Sequence, residues 1–358
     1  MVFHIAYFLF AALLVLASVF PFVSHQYWVF RVCEFARIQV LALLSLTFLG
    51  GFLLSPASGS YIWWVQAALL FFIAQHIFIL APYFPLKKEL KSPAKPENTP
   101  SISMISANVL QFNTEYHKLI DLINEVQPDI FLTIETNSDW EQALSVLDES
   151  YPYHQKIALE NTYGMHFYSK LEVTDLSVNY YMSDDLPSIQ ADIVTLDQQT
   201  FTFFGIHPPP PSPTEESTSK ERDGELIVIG KKAKNATKPL VVVGDFNNVA
   251  WSKSTVLFRK LSGLEDARIG RGLYSTYHAK YRLMQFPIDL LYHSHNIVIE
   301  EFKVLGDIGS DHFPLYTRFY IAPEELVDEK PSEHLEKKEL EEAEEMIVEG
   351  KKEEGNRD

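Results

Sequence analysis

Between Met1 and Phe30 the chain carries no Asp, Glu, Lys or Arg, and between Ile38 and Leu86 a further 49 residues carry none, interrupted only by Ser55-Pro56-Ala57-Ser58-Gly59-Ser60. Such runs exceed what a helix in a water-soluble core needs, and about 20 apolar residues are enough to span the hydrocarbon layer of a bilayer. Three crossings are expected, near Phe3–Val23, Ile38–Leu54 and Tyr61–Phe84. Tyr61, Trp63 and Trp64 stand where an interfacial aromatic belt would lie. A cleaved signal peptide accounts less well for the first run, because no Lys or Arg precedes it and two more apolar runs follow. His76, inside the third run, is either a functional intramembrane group or a neutral ring packed against a neighbouring helix.

Basic residues mark one side of this bundle. Arg31 and Arg37 lie between the first two crossings, and Lys87, Lys88, Lys91 and Lys95 follow the third, whereas the opposite side has no Lys or Arg. With three crossings these segments share a face, and the positive-inside bias places the C-terminal region in the cytoplasm.

The texture changes after the third run. The expected organisation is a membrane domain over residues 1–86, a Lys- and Pro-rich linker over 87–100, a catalytic domain over 101–322 and a Glu/Lys-rich tail over 323–358, disordered or a solvated helix. Net charge follows these divisions: +3 over residues 1–100 (6 bases, 3 acids), −11 over 101–322 (18 and 29) and −9 over 323–358 (6 and 15). An acidic domain is poorly suited to gripping long nucleic acid, which is driven by Lys and Arg displacing cations from phosphates. Cys33 is the single cysteine, so an internal disulfide and a multi-thiolate metal site are both excluded. Any metal must rest on oxygen and imidazole ligands, which favours a hard divalent cation.

Within residues 101–322 strands and helices are interspersed. Ile102–Ala107, Asp129–Glu135, Gly164–Ser169, Ile189–Leu196, Phe201–His207, Leu240–Asp245, Phe286–Tyr292, Ile297–Leu305 and Phe313–Ile321 read as strands. Tyr116, Leu119, Ile120, Ile123 and Val126 keep helical spacing up to Pro128, Ser138 and Glu141 have capping-box spacing, and Glu215–Lys234 reads as an amphipathic helix. One α/β or α+β domain is the expected class.

Six polar positions interrupt or end apolar strands, where a sheet can hold them rigidly: Asn108, Glu135, His207, Asp245 with Asn247 in Gly244-Asp245-Phe246-Asn247, Asp289, and Asp311-His312 after Ser310. Glu135 closes Ile130-Phe131-Leu132-Thr133-Ile134, and a carboxylate there either exits into solvent or needs a positive partner such as a metal ion. Asp245 and Asn247, two apart, share a face if strand geometry persists and suit a phosphate site, although strand-Gly-Asp also occurs in ordinary turns. Asp311-His312 joins a ligand-type carboxylate to a residue that transfers protons near neutral pH, and Asp289 is placed to orient that imidazole; a plain surface turn is the alternative. His207 precedes Pro208 to Pro211, which end the strand and stiffen a rim loop. His117, His154, His166, His278, His293 and His295 have no such context.

Taken in order, these residues resemble the endonuclease/exonuclease/phosphatase superfamily, which includes pancreatic-type deoxyribonucleases, abasic-site endonucleases, inositol polyphosphate phosphatases and neutral sphingomyelinases. The likeness runs from about Ser101 to Ile321. It implies a four-layer sandwich, two mixed β-sheets face to face with helices outside and a catalytic cleft along one edge of the sheets. It also implies that Glu135 binds Mg²⁺ or Mn²⁺ with Asn108 and Asp311, that Asp245 and Asn247 position water and phosphate, and that His312, oriented by Asp289, acts on the phosphoryl centre. Where many members have Tyr, this chain has His207, as the pancreatic-type nucleases have His; acid and base roles of the two imidazoles stay unassigned, and no carboxylate to orient His207 is evident, Glu160 being a weak candidate.

The expected function is that of a membrane-anchored, metal-dependent phosphoesterase acting on a phosphodiester or phosphomonoester by in-line attack of water. A lipid, head-group or small organic phosphate is the preferred substrate, with DNA or RNA as the alternative. A catalytically lapsed membrane scaffold is the competing class.

Overall fold

The uncharged runs become long helices in the computed structural model, which describes residues 2–58, 60–85, 95–326, 335–353 and 355. Helix α1 (Val2–Val19), a short α2 (Trp28–Phe35), α3 (Arg37–Ser58) and α4 (Tyr61–Leu80) precede the first strand. Three stretches, Val2–Phe22, Arg37–Leu54 and Tyr61–Tyr83, are long and apolar enough to span a membrane. Their outer faces lack protein cover: Leu53 is 85% exposed and Phe78 81%. His76 is buried with Nε2 3.1 Å from Ser18 Oγ of α1, the packed alternative of the two foreseen. Most of the expected linker, residues 87–94, lies outside the described residues, and so do Lys87, Lys88 and Lys91.

The remaining chain runs β1 (Ile102–Asn108), α5 (Tyr116–Val126), β2 (Ile130–Ile134), α6 (Ser138–Leu144), β3 (Tyr153–Ile157), β4 (Met165–Ser169), β5 (Val173–Tyr180), β6 (Pro187–Val194), β7 (Thr200–Ile206), α7 (Lys220–Lys234), β8 (Leu240–Asp245), α8 (Lys253–Ser262), β9 (Glu265–Asp266), β10 (Asp289–His293), β11 (Ile297–Val304), β12 (Leu315–Ile321) and α9 (Lys337–Gly350). Two six-stranded mixed sheets result, ordered β11-β12-β1-β2-β4-β3 and β5-β6-β7-β8-β10-β9. Each is built around one parallel pair, β1 with β2 and β7 with β8, flanked on both sides by antiparallel neighbours.

Burial on both faces explains why the central strands read as unbroken apolar runs rather than alternating ones. In β2, Ile130, Leu132 and Ile134 enter the core between the sheets, while Phe131 packs outward with Leu119, Ile123 and Trp140 of α5 and α6. In β8, Val241 and Val243 face the core and Val242 packs outward with Leu226, Ile229 and Phe258 of α7 and α8. Each such side chain withdrawn from water contributes about 1.5–3 kcal/mol. His166 of β4 is fully buried with neither ring nitrogen hydrogen-bonded, and burial lowers its pKa to about 3.

Local expectations were displaced in three places. The cap of α6 is Asn137, whose side chain accepts from Trp140 N at 3.1 Å, so Ser138 is already helical. Helix α7 starts at Lys220, not Glu215, and it buries Glu221, Arg222, Asp223 and Glu225 instead of leaving them to solvent. Within the tail, expected to be disordered or a solvated helix, Lys337–Gly350 forms α9, which docks on α7 and α8. Ala343 and Met346 are buried at helical spacing against Ile227, Leu257 and Leu261. Lys260 and Lys253 pair with Glu339 and Glu342 at 2.7 and 2.9 Å. A narrow apolar stripe sufficed because the receiving helices are basic where α9 is acidic.

Candidate active site

The pairing pattern sends the carboxyl ends of both parallel pairs, and the amino ends of β10 and β12, toward one edge of the sandwich. Asn108 and Glu135 end β1 and β2; His207 and Asp245 end β7 and β8. Asp289 opens β10 directly opposite Asp245 in register, and Asp311 and His312 precede β12. At Gly244 (φ +150°) β7 and β8 approach so closely that a Cβ would lie 2.0 Å from Ile206 O, so this turn excludes any side chain.

Asn108 joins the two sheets. Its Nδ2 donates to Glu135 Oε1 at 2.7 Å and to Asp245 Oδ2 at 3.1 Å. Glu135 adopts φ +65°, a left-handed conformation that costs a non-glycine residue about 1–2 kcal/mol, and it turns its carboxylate back into the cleft. Burial raises the Glu135 pKa to about 7, against the hydrogen bond from Asn108 and the charge of His312, while Asp311 nearby pushes it further up. No Lys or Arg pairs with Glu135 or Asp311 among the described residues.

On the other side, His312 Nδ1 lies 2.8 Å from Asp289 Oδ2 and its Nε2 3.6 Å from Asp245 Oδ2. Burial alone would discharge the ring, but Asp289 and Asp245 hold its pKa up at about 10. Asp245 is raised to about 7 by burial, against the attraction of His312. Ser310 Oγ donates to Asn108 O at 2.8 Å and accepts from His312 N at 3.0 Å, fastening the turn before β12 to the end of β1. Strand geometry does not persist from Asp245 to Asn247, as a shared face would need: at φ +46° Asn247 is turned so that Nδ2 donates to Pro208 O at 3.1 Å, and its own N donates to Asp245 Oδ1 at 2.8 Å.

His207 differs from His312. Its Nε2 is 4.0 Å from Asp245 Oδ2, its Nδ1 has no hydrogen-bond partner, and burial, reinforced by the charge of His312, lowers its pKa to about 3. Glu160 is not its partner, because that carboxylate bonds Ser138 Oγ at 2.8 Å. The ring instead lies against Tyr163, with centroids 5.1 Å apart.

Two further side chains shape the site without having been foreseen. Arg222 of α7 is buried, pairs with Asp223 and donates Nη1 to Asn247 O at 2.9 Å, fixing the turn after β8. Tyr277 places its ring 4.8 Å from that of His312. Arg222 sits in a Lys-Glu-Arg-Asp run that reads as a solvated face, and only the packing of α7 shows otherwise.

The donor set suits a hard divalent cation. Asp245, Asp289 and His312 present ligand atoms all within 4.8 Å of one another. Within that group the His312 imidazolium lies against Asp289 Oδ2 and Asp245 Oδ2, whereas Asp289 Oδ1 is buried with no hydrogen-bond partner. Glu135 and Asp311 are half-buried and meet no Lys or Arg among the described residues, and a carboxylate withdrawn from water without a cation is costly.

Comparison with known proteins places this arrangement. A profile described as the endonuclease/exonuclease/phosphatase family matches residues 105–312. Among solved structures, zebrafish (D. rerio) TDP2 complexed with a single-stranded DNA product superposes with a TM-score of 0.53 at 18% identity, covering 61% of this chain and 98% of that one. The human nocturnin catalytic domain with bound sulfate gives 0.51 at 16%, covering 63% and 96%. A mannosyl-6-phosphatase from Bacteroides thetaiotaomicron gives 0.51 at 18%, covering 62% and 100%. No curated protein sequence matches.

Proposed function

Since the chain belongs to the endonuclease/exonuclease/phosphatase family, a metal-dependent phosphoesterase group with a buried Asp/His site of this kind, we propose that it hydrolyses a phosphodiester or phosphomonoester by in-line attack of water, from a bilayer anchor formed by residues 1–86. One observation carries the catalytic reading: Asn108 bonds Glu135 and Asp245 at once, so the carboxylate without a cation and the carboxylate with an imidazolium face one cleft.

Glu135, Asn108 and Asp311 would hold Mg²⁺ or Mn²⁺, which when bound neutralises charge on phosphate oxygens and the leaving group. Asp245, at about 7, accepts a proton from the attacking water, and the amide hydrogen of Asn108 fixes the orientation of its carboxylate. Asn247 spends one amide hydrogen on Pro208 and has a second for a phosphate oxygen. His312, charged up to about 10 and aligned by Asp289, stabilises the phosphoryl charge and supplies a proton to the leaving oxygen. His207, neutral, lends the opposite wall a hydrogen-bonding ring.

Charge favours a lipid, head-group or small organic phosphate over nucleic acid. The domain carries −11 (18 bases, 29 acids), and its buried guanidiniums Arg222 and Arg268 are spent on Asp223 and Asp266. The DNA of the zebrafish TDP2 structure belongs to that protein, and at 18% identity the likeness concerns the fold. The anchor is supported by the ends of the apolar stretches: Gly270 N donates to Pro82 O at 2.9 Å and Trp251 Nε1 to Glu34 O at 2.8 Å, so the second and third stretches meet the catalytic domain at one end of the bundle. The same end carries Arg31 and Arg37, and the positive-inside bias supports a cytoplasmic catalytic domain.

Hydrolysis of bis-p-nitrophenyl phosphate and p-nitrophenyl phosphate tests the reading. Turnover is expected with Mg²⁺ or Mn²⁺, to vanish with EDTA and to fall about 10³-fold in Asp245→Ala. Absent or EDTA-insensitive turnover would favour the scaffold.

A further inference from the structure

Two loops form the rim of the cleft, and both are gripped by the chain from Gln26 to Gln39, which leads from the first apolar helix into the start of the second. After His207 the loop reaches Ser217 and Ser219, where Trp28 N donates to Ser217 O at 3.1 Å and Ser219 N to Gln26 O at 2.9 Å. The second rim loop, residues 277–286, is held by Gln39, whose Nε2 donates to Leu283 O at 3.1 Å, and by Phe35, whose ring meets that of Phe286 edge-on at 6.2 Å. Gln39 stands at the third position of the membrane-length stretch Arg37–Leu54, so residues 283–285 lie level with its entry into the apolar layer.

The other end of the same loop is part of the active site. Tyr277 lies against His312, Ala279 N donates to Asp311 O at 2.7 Å, and Phe313 N donates to Thr276 O at 3.1 Å. Within about ten residues the chain passes from the catalytic imidazole to the end of the membrane bundle.

Its tip has an unusual composition for an acidic domain. Lys280, Tyr281, Arg282, Leu283 and Met284 are all exposed, with Tyr281 at 62%, Leu283 at 86% and Met284 at 54%. Neither Lys280 nor Arg282 pairs with a carboxylate among the described residues. Interleaved cations and large apolar side chains are what an interfacial segment uses: the apolar groups enter the acyl boundary while the cations meet anionic head-groups. A loop bathed only in water gains nothing by exposing three such side chains together.

From this juxtaposition we infer that residues 280–284 sit in the surface of the bilayer that the apolar helices anchor, forming the membrane-facing lip of the cleft, and that the substrate is a phosphate ester whose organic part lies in that bilayer. The inference rests on the phosphoesterase reading above. It narrows the substrate class from small phosphates in general to amphiphilic ones.

The test uses the full chain in vesicles of phosphatidylcholine and phosphatidylglycerol. With Cys33→Ser as background, a fluorophore is attached at Leu283→Cys, or at Leu196→Cys, which is 76% exposed at the far end of the second sheet. Brominated lipid is expected to quench the probe at 283 several-fold more than the probe at 196; equal exposure of both to aqueous iodide, with no lipid quenching, would overturn the placement and point to a protein partner instead. Turnover is then compared for methyl p-nitrophenyl phosphate in solution and hexadecyl p-nitrophenyl phosphate in the vesicles. The hexadecyl ester is expected to be preferred at least about tenfold, and Leu283→Asp with Met284→Asp to abolish that preference while leaving the methyl ester unchanged. Turnover of the methyl ester with no chain-length preference sinks the inference alone. Silence toward both esters, and toward p-nitrophenyl phosphate, sinks the phosphoesterase reading and with it the substrate class.

Discussion

The two sheets repeat one pairing plan yet equip the cleft differently. The first, through β1 and β2, supplies Asn108 and Glu135, a carboxylate pushed up to about 7 with no Lys or Arg paired to it among the described residues. The second, through β8 and β10, supplies Asp245 and Asp289, two carboxylates that share the imidazolium of His312. The imidazolium itself comes from the first sheet, whose turn before β12 carries His312 across the cleft to the carboxylates of the second. The same pairing plan thus yields a cation-seeking wall, Glu135 with Asp311, and a proton-handling wall drawn from both sheets, and Asn108, bonded to Glu135 and Asp245, joins the two.

That contrast can be broken at its centre first. Asp245 touches both halves, so Asp245→Ala should lower kcat by about 10³-fold, the scale on which a preorganised polar group acts. Steady-state turnover of bis-p-nitrophenyl phosphate measures it, and a loss under tenfold would leave the two walls uncoupled.

The proton-handling wall comes next. His312→Gln should cost about 10²–10³-fold, within the usual range for acid–base groups, and adding Asp289→Asn should cost far less than the product of the two single losses. The pH profile gives a sharper signature. His312 must be protonated to donate, and Asp289 holds its pKa up at about 10; Asp289→Asn should therefore move the alkaline limb of kcat down by about one unit or more. An unmoved limb would detach Asp289 from His312.

On the cation-seeking wall, Glu135→Gln should raise the Mg²⁺ or Mn²⁺ concentration for half-maximal activity about 10–100-fold. Asp289→Asn should leave that concentration nearly unchanged. Metal titrations of the two variants side by side decide whether the walls have separate tasks.

The smallest effect concerns stability and lies outside the cleft. His166 has its pKa lowered by burial to about 3, so below its ordinary value of 6.5 the unfolded chain binds a proton that the folded chain refuses. Stability is thus lost as pH falls from about 6.5 toward 3, by about 1.4 kcal/mol per unit for this group. Urea unfolding of the full chain in detergent at pH 7 and pH 5 should show His166→Phe losing less stability than the wild type.

Much of this was legible before the fold. The six polar positions announced themselves because apolar strands buried on both faces make any carboxylate or imidazole at their ends conspicuous. Three of the four edge strands gave no such signal: β3 and β5 are polar and mostly half-buried, and β9 is two residues long, so none of the three carries an apolar run. The docking of α9 was hidden because its buried stripe is small and its stability depends on complementary charges far away in the chain.

The separation of roles was hidden for a related reason. His207 and His312 are the same side chain at comparable strand ends, and nothing local distinguishes them. Arg222, likewise, reads as one more charge on a wet helix, and Tyr277 as one more aromatic in a loop.

From the residues alone came the apolar anchor, the run of central strands, the candidate donors and the hard-cation chemistry, because these depend on composition and on neighbours within a few positions. Which donors share an atom-to-atom contact, which imidazole is charged, and how near the cleft stands to the helix ends were decided only when two sheets met along one edge. Electrostatic environment is set by distance in space, and residues 108, 135, 245, 289 and 312 become neighbours only after the chain has folded.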